Sequence, residues 1–185
     1  MSTNTSLSSQ NLQLVMLIII PPGQIEELVK PFNDSVVLDV TDEMVAQGYT
    51  VDRMFRLAEE FFITLGFAPM TDTFWEKSML QKPEDRDVVC HASAEDFFAA
   101  EDYRIKMCTT ITHADLVTVH HEMGHIVYFM EYSHQPWVYR EAANPGFHEA
   151  IGDTMALAVN TPAHLQVTIS EYPYREGVIC PHFCI

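Results

Sequence analysis

The sequence predicts a mainly α-helical domain that carries one small antiparallel β-hairpin. Apolar residues recur at helical spacing in three separate segments, and a short acidic turn joins two strand-like segments. Of the 185 residues, 48% are hydrophobic, which is typical of a globular protein. A chain of this length buries roughly 70% of its unfolded surface, so a substantial core is expected.

The first half of the chain predicts two helices followed by a loop. Residues 41–43, a threonine and two acidic residues, begin a short helix that ends at Gly48. Thr50 caps a second helix, whose apolar stripe continues until Gly66. Residues 69–87 are rich in proline and charge, which predicts a loop with about one helical turn.

The second half predicts the hairpin and two further helices. Residues 88–98 and 104–111 are the expected strands, and residues 113–132 are expected to form a long helix. The Asn-Pro-Gly sequence at 144–146 predicts a turn, after which helical spacing resumes. The residues after 168 follow neither period.

The net charge argues against one class of partner, and the apolar run near the start is a poor membrane span and a poor signal peptide. The chain has 26 acidic and 10 basic residues, and its net charge of −16 argues against nucleic acid, whose phosphates need a basic face. The apolar run at 12–20 is too short to cross a bilayer, which takes about 20 residues. It follows no basic residue and precedes no small-residue cleavage site, so it makes a poor signal peptide.

The cysteines and one sequon bear on the compartment. Cys90 and Cys108 flank the strand-like segments, and they form either a disulfide typical of an oxidising compartment or two buried thiols. Asn33 begins a glycosylation sequon, Asn-Asp-Ser, on a polar stretch. Cys180 and Cys184, with His182 between them, could be part of a second metal cluster, but the sequence offers no fourth ligand or supporting turn nearby.

The chemistry is concentrated in "TVHHEMGHIVYF" at 118–129. Residues four apart on a helix lie on one face, so His121 and His125 direct two imidazoles toward a point that one ion can occupy. Glu122 is rotated by about 100° from His121 and can reach water held by that ion. This His-Glu-x-x-His spacing is that of zinc peptidases, in which the glutamate is the general base.

A zinc ion held by two histidines needs a third protein ligand and an open position for water. Glu149, on the helix predicted after the turn, can be that ligand. Asp153, one turn later, can accept the second ring N–H of a zinc histidine. The alternative is that these residues are hydrogen-bonded core residues, and the second i,i+4 pair makes that alternative less favourable.

Three segments resemble one known family. They are "KPEDRDVVCHASAEDFF" at 82–98, "HHEMGH" at 120–125 and "ANPGFHEAIGD" at 143–153. They closely resemble the angiotensin-converting enzyme family of zinc peptidyl-dipeptidases, which remove dipeptides from the carboxyl ends of short peptides. The resemblance implies a partial version of a two-lobed, mostly helical peptidase fold.

The resemblance also divides the chain. The likeness extends from about Ile25 to Leu165. It implies an unmatched segment at 1–23, a partial zinc peptidase domain at 24–166 and an unmatched tail at 167–185. Family members are extracellular or attached to the cell surface, and the same location is expected for this chain.

Residue by residue, the resemblance implies a complete metal site. His121, His125 and Glu149 match the zinc ligands of the family. Glu122 matches the catalytic base. Asp153 matches the carboxylate that pairs with the first histidine.

The resemblance further implies a peptide-binding strand. His91, Ala92 and Ala94 match a strand edge whose backbone and histidine hold an extended peptide, which is a form of β-augmentation. Cys90 and Cys108 match a disulfide of the family.

The match has two departures. Glu95 stands where the family typically has tryptophan, and its carboxylate would alter the packing beside the peptide. The likeness also covers well under half of the family's catalytic unit. The later groups that steady the oxyanion, hold the terminal carboxylate and bind chloride lie outside it, although chloride remains possible for the family.

Two functions are therefore carried forward. The first is a zinc peptidyl-dipeptidase with zinc-activated water and a glutamate base. The second is a truncated, catalytically silent family member that retains zinc and acts by binding a peptide or a partner.

Overall fold

The computed structural model describes residues 38–99 and 101–169. Within them it has six α-helices and one two-stranded antiparallel sheet, so the predicted fold class is confirmed. The elements in chain order are α1 (Thr41–Ala46), α2 (Val51–Thr64), α3 (Asp72–Lys77), β1 (Ser93–Asp96), β2 (Tyr103–Lys106), α4 (His113–Tyr132), a 3₁₀ turn (Trp137–Tyr139), α5 (Pro145–Val159) and α6 (Pro162–Thr168). No helix among the described residues is long and apolar enough to cross a membrane.

The helices begin and end where the sequence provides caps. The side chain of Thr50 accepts a hydrogen bond from the backbone N–H of Arg53 at 3.2 Å. At the start of α4, the side chain of Thr112 accepts one from the backbone N–H of Asp115. Helices α1 and α2 are followed by Gly48 and Gly66, whose φ angles of +67° and +96° suit glycine. The predicted positions of α1, α2 and α4 are confirmed.

The strands of the hairpin are shorter than predicted. Each has four residues, whereas the sequence predicted strands over 88–98 and 104–111. The backbone N–H of Met107 donates to the carbonyl of Met79 at 2.7 Å, and Met79 pairs in parallel with Lys106 on the edge of β2 that faces away from β1. Local strand propensity is met there by pairing with a distant segment, which no local pattern could indicate.

The Asn-Pro-Gly segment begins a helix, and the prediction of a separate turn was wrong. Asn144 Oδ1 accepts a hydrogen bond from the N–H of Phe147 at 2.9 Å, and Pro145 is the first residue of α5. Thr161 caps α6 in the same way, accepting from the N–H of His164 at 3.2 Å. Periodicity did not predict α6.

Helix α4 contributes to two hydrophobic clusters. The larger cluster includes Phe55, Phe62, Phe74, Ile105, Met123 and Ile126. The smaller cluster includes Val40, Met44, Met54, Leu116, Leu165 and Ile169. Because the inward residues of α4 are fully buried, packing fixes the rotation of this helix and therefore the direction of its histidines.

Candidate metal centre

Two histidines of α4 meet one helical turn apart. Nε2 of His121 lies 3.0 Å from Nε2 of His125, and the two rings are nearly perpendicular, at 83°. The four-residue spacing thus brings both side chains to one point, as it predicts for a helix.

Helix α5 brings a carboxylate to the same point. Oε2 of Glu149 lies 3.3 Å from Nε2 of His121 and 3.7 Å from Nε2 of His125. Each of the three residues offers one ligand atom, and these atoms lie within 4.8 Å of one another. The structure therefore places the three predicted ligands together.

The donor atoms fit a small tetrahedral cation. With zinc–ligand distances of about 2.0–2.1 Å, neighbouring ligands of a tetrahedral ion lie about 3.3 Å apart. The separations of 3.0, 3.3 and 3.7 Å bracket that value. All three atoms carry lone pairs, so their close approach is favourable only with a positive charge or a proton between them. The residues present fit zinc, and their role as zinc ligands stays a prediction.

Asp153 lies behind the first histidine. Its Oδ1 is 3.1 Å from Nδ1 of His121, so one ring nitrogen faces the donor cluster and the other faces a carboxylate. This is the geometry expected of a group that orients a metal ligand. The side chains of Glu149 and Asp153 are 66% and 69% exposed, so the position of α5 decides where they lie.

Two glycines allow α5 to approach α4. A Cβ atom at Gly152 would lie 2.8 Å from ring atoms of His121, closer than real contacts allow. A Cβ atom at Gly124 would lie 3.4 Å from the Cα of Gly152. The absence of both side chains lets the helices come close enough for Glu149 to reach the histidines.

A cavity of about 440 Å³ opens beside the donor cluster. It is lined by Glu122 and by the predicted peptide-binding residues His91, Ala92 and Ala94. Ala94 lies in β1, whereas His91 and Ala92 precede that strand, so the predicted strand edge is shorter than expected. Strand β1 pairs with β2 along one edge, and no other strand in the described ranges pairs with it. The structure thus brings the predicted base and the predicted strand edge to one cavity, while their roles remain predictions.

Burial controls the charge of two side chains in the site. Glu122 is buried, and this raises the pKa of its carboxyl group. Burial also lowers the pKa of His125 to about 4, helped by the neighbouring His121 and His148. A carboxylate with a raised pKa is the stronger base, and a neutral imidazole is the form that binds metals.

Sequence reasoning missed His148. Its Nδ1 lies 2.6 Å from Nδ1 of His125, and its ring lines the same cavity. The residue directly precedes Glu149, so the only available signal was a histidine beside a predicted ligand. The pairing itself joins two helices and has no signature in the sequence.

The third histidine of the segment 118–129, His120, is part of the buried core. His120 is 1% exposed, and its Nδ1–H donates to the carbonyl of Leu116 at 2.8 Å. The ring packs edge-on against Phe61 and His164. His120 therefore belongs to the core side of α4, away from the donor cluster.

Of the remaining features noted in the sequence, some lie within the described residues and others lie outside them. Cys90 and Cys108 form a disulfide with a Cα–Cα distance of 5.1 Å. The sequon at Asn33 lies outside the described residues. Cys180, His182 and Cys184 of the tail also lie outside them.

The fold and the site define a class of protein. A helix with the His-Glu-x-x-His spacing, a glutamate from the next helix and an adjacent cavity are typical of zinc-dependent metallopeptidases. The comparison with known proteins specifies the family.

The family model described as angiotensin-converting enzyme, peptidase M2, matches residues 23–169. The chain is 55% identical over 145 residues to the angiotensin-converting enzyme of Haematobia irritans exigua, covering 78% of this chain and 24% of that protein. It is 58% identical over 144 residues to that of Oryctolagus cuniculus, covering 77% and 11%, and 51% identical over 142 residues to that of Theromyzon tessulatum, covering 77% and 23%.

The chain belongs to the angiotensin-converting enzyme family, as its motifs indicated. It spans about a quarter or less of the length of these relatives.

Proposed function

We propose that this chain carries the metal site of a zinc-dependent peptidyl-dipeptidase, which releases dipeptides from the carboxyl ends of short peptides. The observation that carries the proposal is the convergence of three ligand atoms within 4.8 Å, beside Glu122 and a strand edge. The dipeptide product and the short peptide substrate are inferred from family membership.

His121, His125 and Glu149 would hold the metal through the atoms that face one another. When bound there, zinc would act as a Lewis acid toward the scissile carbonyl and the attacking water. Asp153 would keep His121 oriented, because its carboxylate accepts the N–H of the ring's other nitrogen.

Glu122 would act as the base and then as the acid. Glu122 lines the cavity next to the donor cluster without being part of that cluster. It would accept a proton from the attacking water and deliver that proton to the amine nitrogen as the C–N bond breaks. The raised pKa that burial gives this carboxyl group suits both halves of the exchange.

Strand β1 would hold the peptide. Its unpaired edge within the described ranges offers backbone donors and acceptors to an extended chain, and His91, Ala92 and Ala94 lie on the cavity wall. Glu95 is exposed, and its charge contributes to raising the pKa of Glu122. A carboxylate at this position disfavours an anionic peptide group nearby.

The alternative function is binding without turnover. It is favoured by the exposure of Glu149 and Asp153, at 66% and 69%, because a site that open to water within the described ranges excludes solvent poorly. In that case the chain would hold zinc and a peptide but release little product.

We expect the domain to work outside the cell or at its surface. The support is the disulfide between Cys90 and Cys108, since disulfides persist in oxidising compartments. The predicted sequon at Asn33 points the same way.

The test uses the full chain loaded with one equivalent of zinc and an amino-blocked tripeptide. We expect feeble dipeptide release, measured by mass spectrometry, that a chelator abolishes. Glu122→Gln should remove the release and leave zinc bound. Zinc and peptide binding without release would support the alternative, and a chain that takes up no zinc would contradict both functions.

A further inference from the structure

His125 and His148 form a hydrogen bond that admits only two proton arrangements. Their Nδ1 atoms are 2.6 Å apart, so one nitrogen carries a hydrogen and the other accepts it. Either His125 donates to His148, or His148 donates to His125.

The position of Nε2 of His125 decides which of the two proton arrangements is present. Nε2 of His125 faces Nε2 of His121 and Oε2 of Glu149, at 3.0 and 3.7 Å. A metal ligand at that position needs a free lone pair on Nε2. A neutral imidazole with a free Nε2 carries its hydrogen on Nδ1, so His125 is the donor and His148 the acceptor.

The surroundings of His148 fit the acceptor role. When Nδ1 accepts, the ring carries its hydrogen on Nε2, which is buried and has no hydrogen-bond partner within the described part of the chain. The His148 ring lies against the rings of Tyr128, Phe129 and Tyr132, with centroid distances of 5.0, 4.6 and 6.4 Å. Aromatic faces accept N–H groups weakly, and the packing of three rings restricts rotation of the imidazole.

We propose that His148 is a positioning residue: its Nδ1 accepts the hydrogen of His125 Nδ1 and thereby fixes the tautomer and orientation in which His125 binds metal. The inference rests on the proposed function, because it assumes that His125 is a ligand. The two histidines are then oriented by different groups, His121 by the carboxylate of Asp153 and His125 by a neutral imidazole.

The first test compares two variants of nearly the same shape. His148→Asn keeps an acceptor at the position of Nδ1, and His148→Leu removes it. The zinc dissociation constant of each full chain is measured by competition with a chelator, with circular dichroism to check folding. We expect His148→Leu to weaken zinc binding by about 10–100-fold and His148→Asn to recover most of that loss.

The second test needs no variant. Long-range ¹H–¹⁵N spectra of the histidine-labelled, zinc-bound chain report which ring nitrogen carries the hydrogen. We expect the hydrogen of His148 on Nε2.

The outcomes separate this inference from the proposed function. If the wild-type chain binds zinc and the Asn and Leu variants weaken it equally, or the hydrogen lies on Nδ1 of His148, the positioning role is wrong and the metal site remains. If the wild-type chain binds no zinc, the metal site is wrong, and the positioning role is overturned with it.

Discussion

The two helices that form the metal centre are supported differently. The side chains of His125 and Glu122 on α4 are buried, and this helix joins both hydrophobic clusters. The side chains of Glu149 and Asp153 on α5 are 66% and 69% exposed, and the buried residues of α5 are Gly152 and Val159. The core therefore fixes the histidines, whereas the third ligand depends on the contact between α4 and α5.

The largest expected difference between the two helices is in stability. Met123 on α4 is fully buried, so Met123→Ala should lower the free energy of unfolding by about 2–5 kcal/mol. Leu157 on α5 is 55% exposed, and Leu157→Ala should change the free energy of unfolding by about 0.5 kcal/mol or less. Urea unfolding of both variants measures this. Equal losses would show that α5 is packed as firmly as α4.

The contact between the helices should be most sensitive at Gly152. Gly152→Ala places a Cβ atom against the His121 ring at 2.8 Å, and Gly124→Ala places one at 3.3 Å from Met155. If the close contact at the first position costs about 1–3 kcal/mol in the zinc-bound arrangement, zinc affinity should fall by about 5- to 150-fold. Gly124→Ala should lose less.

Chelator competition with both glycine variants tests this order. Leu157→Ala is the matched control on the same helix, and it should bind zinc as the wild-type chain does. If Gly152→Ala binds zinc with unchanged affinity, the close approach of α5 is not what positions the third ligand.

A smaller effect is expected at Asp153. Asp153→Ala removes the acceptor 3.1 Å from Nδ1 of His121 and should weaken zinc binding about tenfold. Glu60→Ala removes the same charge from an exposed position of α2 and controls for the overall field. A similar loss in both variants would mean that Asp153 acts only through its charge.

The smallest effect is expected on stability, and it comes from Asp102, which lies between the two strands of the hairpin. A hydrogen bond from Arg104, helped by Lys77, lowers the pKa of Asp102 to about 2. Because the folded-state pKa lies below the unfolded value of about 4, this stabilisation is present above about pH 4 and is lost as the pH falls toward 2. Asp102→Asn should therefore be less stable than the wild-type chain at pH 7, with the difference shrinking toward pH 2.

Urea midpoints at several pH values measure that difference. A gap between the wild-type chain and Asp102→Asn that stays constant down to pH 2 would contradict the assignment.

The sequence predicted what local patterns encode. The cap Thr50 and the apolar periodicity placed α2 and α4 correctly, and the i,i+4 spacing brought the two α4 histidines together. Helix α6 was missed although Thr161 and Pro162 form a cap and a first helical residue, because the apolar period there is short.

What the sequence could not predict depends on tertiary contacts. The strand lengths were wrong because strand propensity does not say how far two segments pair, and the hairpin pairs only over Ser93–Asp96 and Tyr103–Lys106. His148 was missed because its partner, His125, lies on another helix, and no local pattern gives the angle at which two helices cross.

The central claim is that His121, His125 and Glu149 share one cation while Glu122 stands beside it. The most direct measurement is the zinc content of purified Glu149→Ala and Glu122→Gln chains, compared with the wild-type chain at the same free zinc concentration. The account predicts one zinc per chain for the wild type and for Glu122→Gln, and a clear loss for Glu149→Ala. Full zinc content in Glu149→Ala, or its loss in Glu122→Gln, would contradict it.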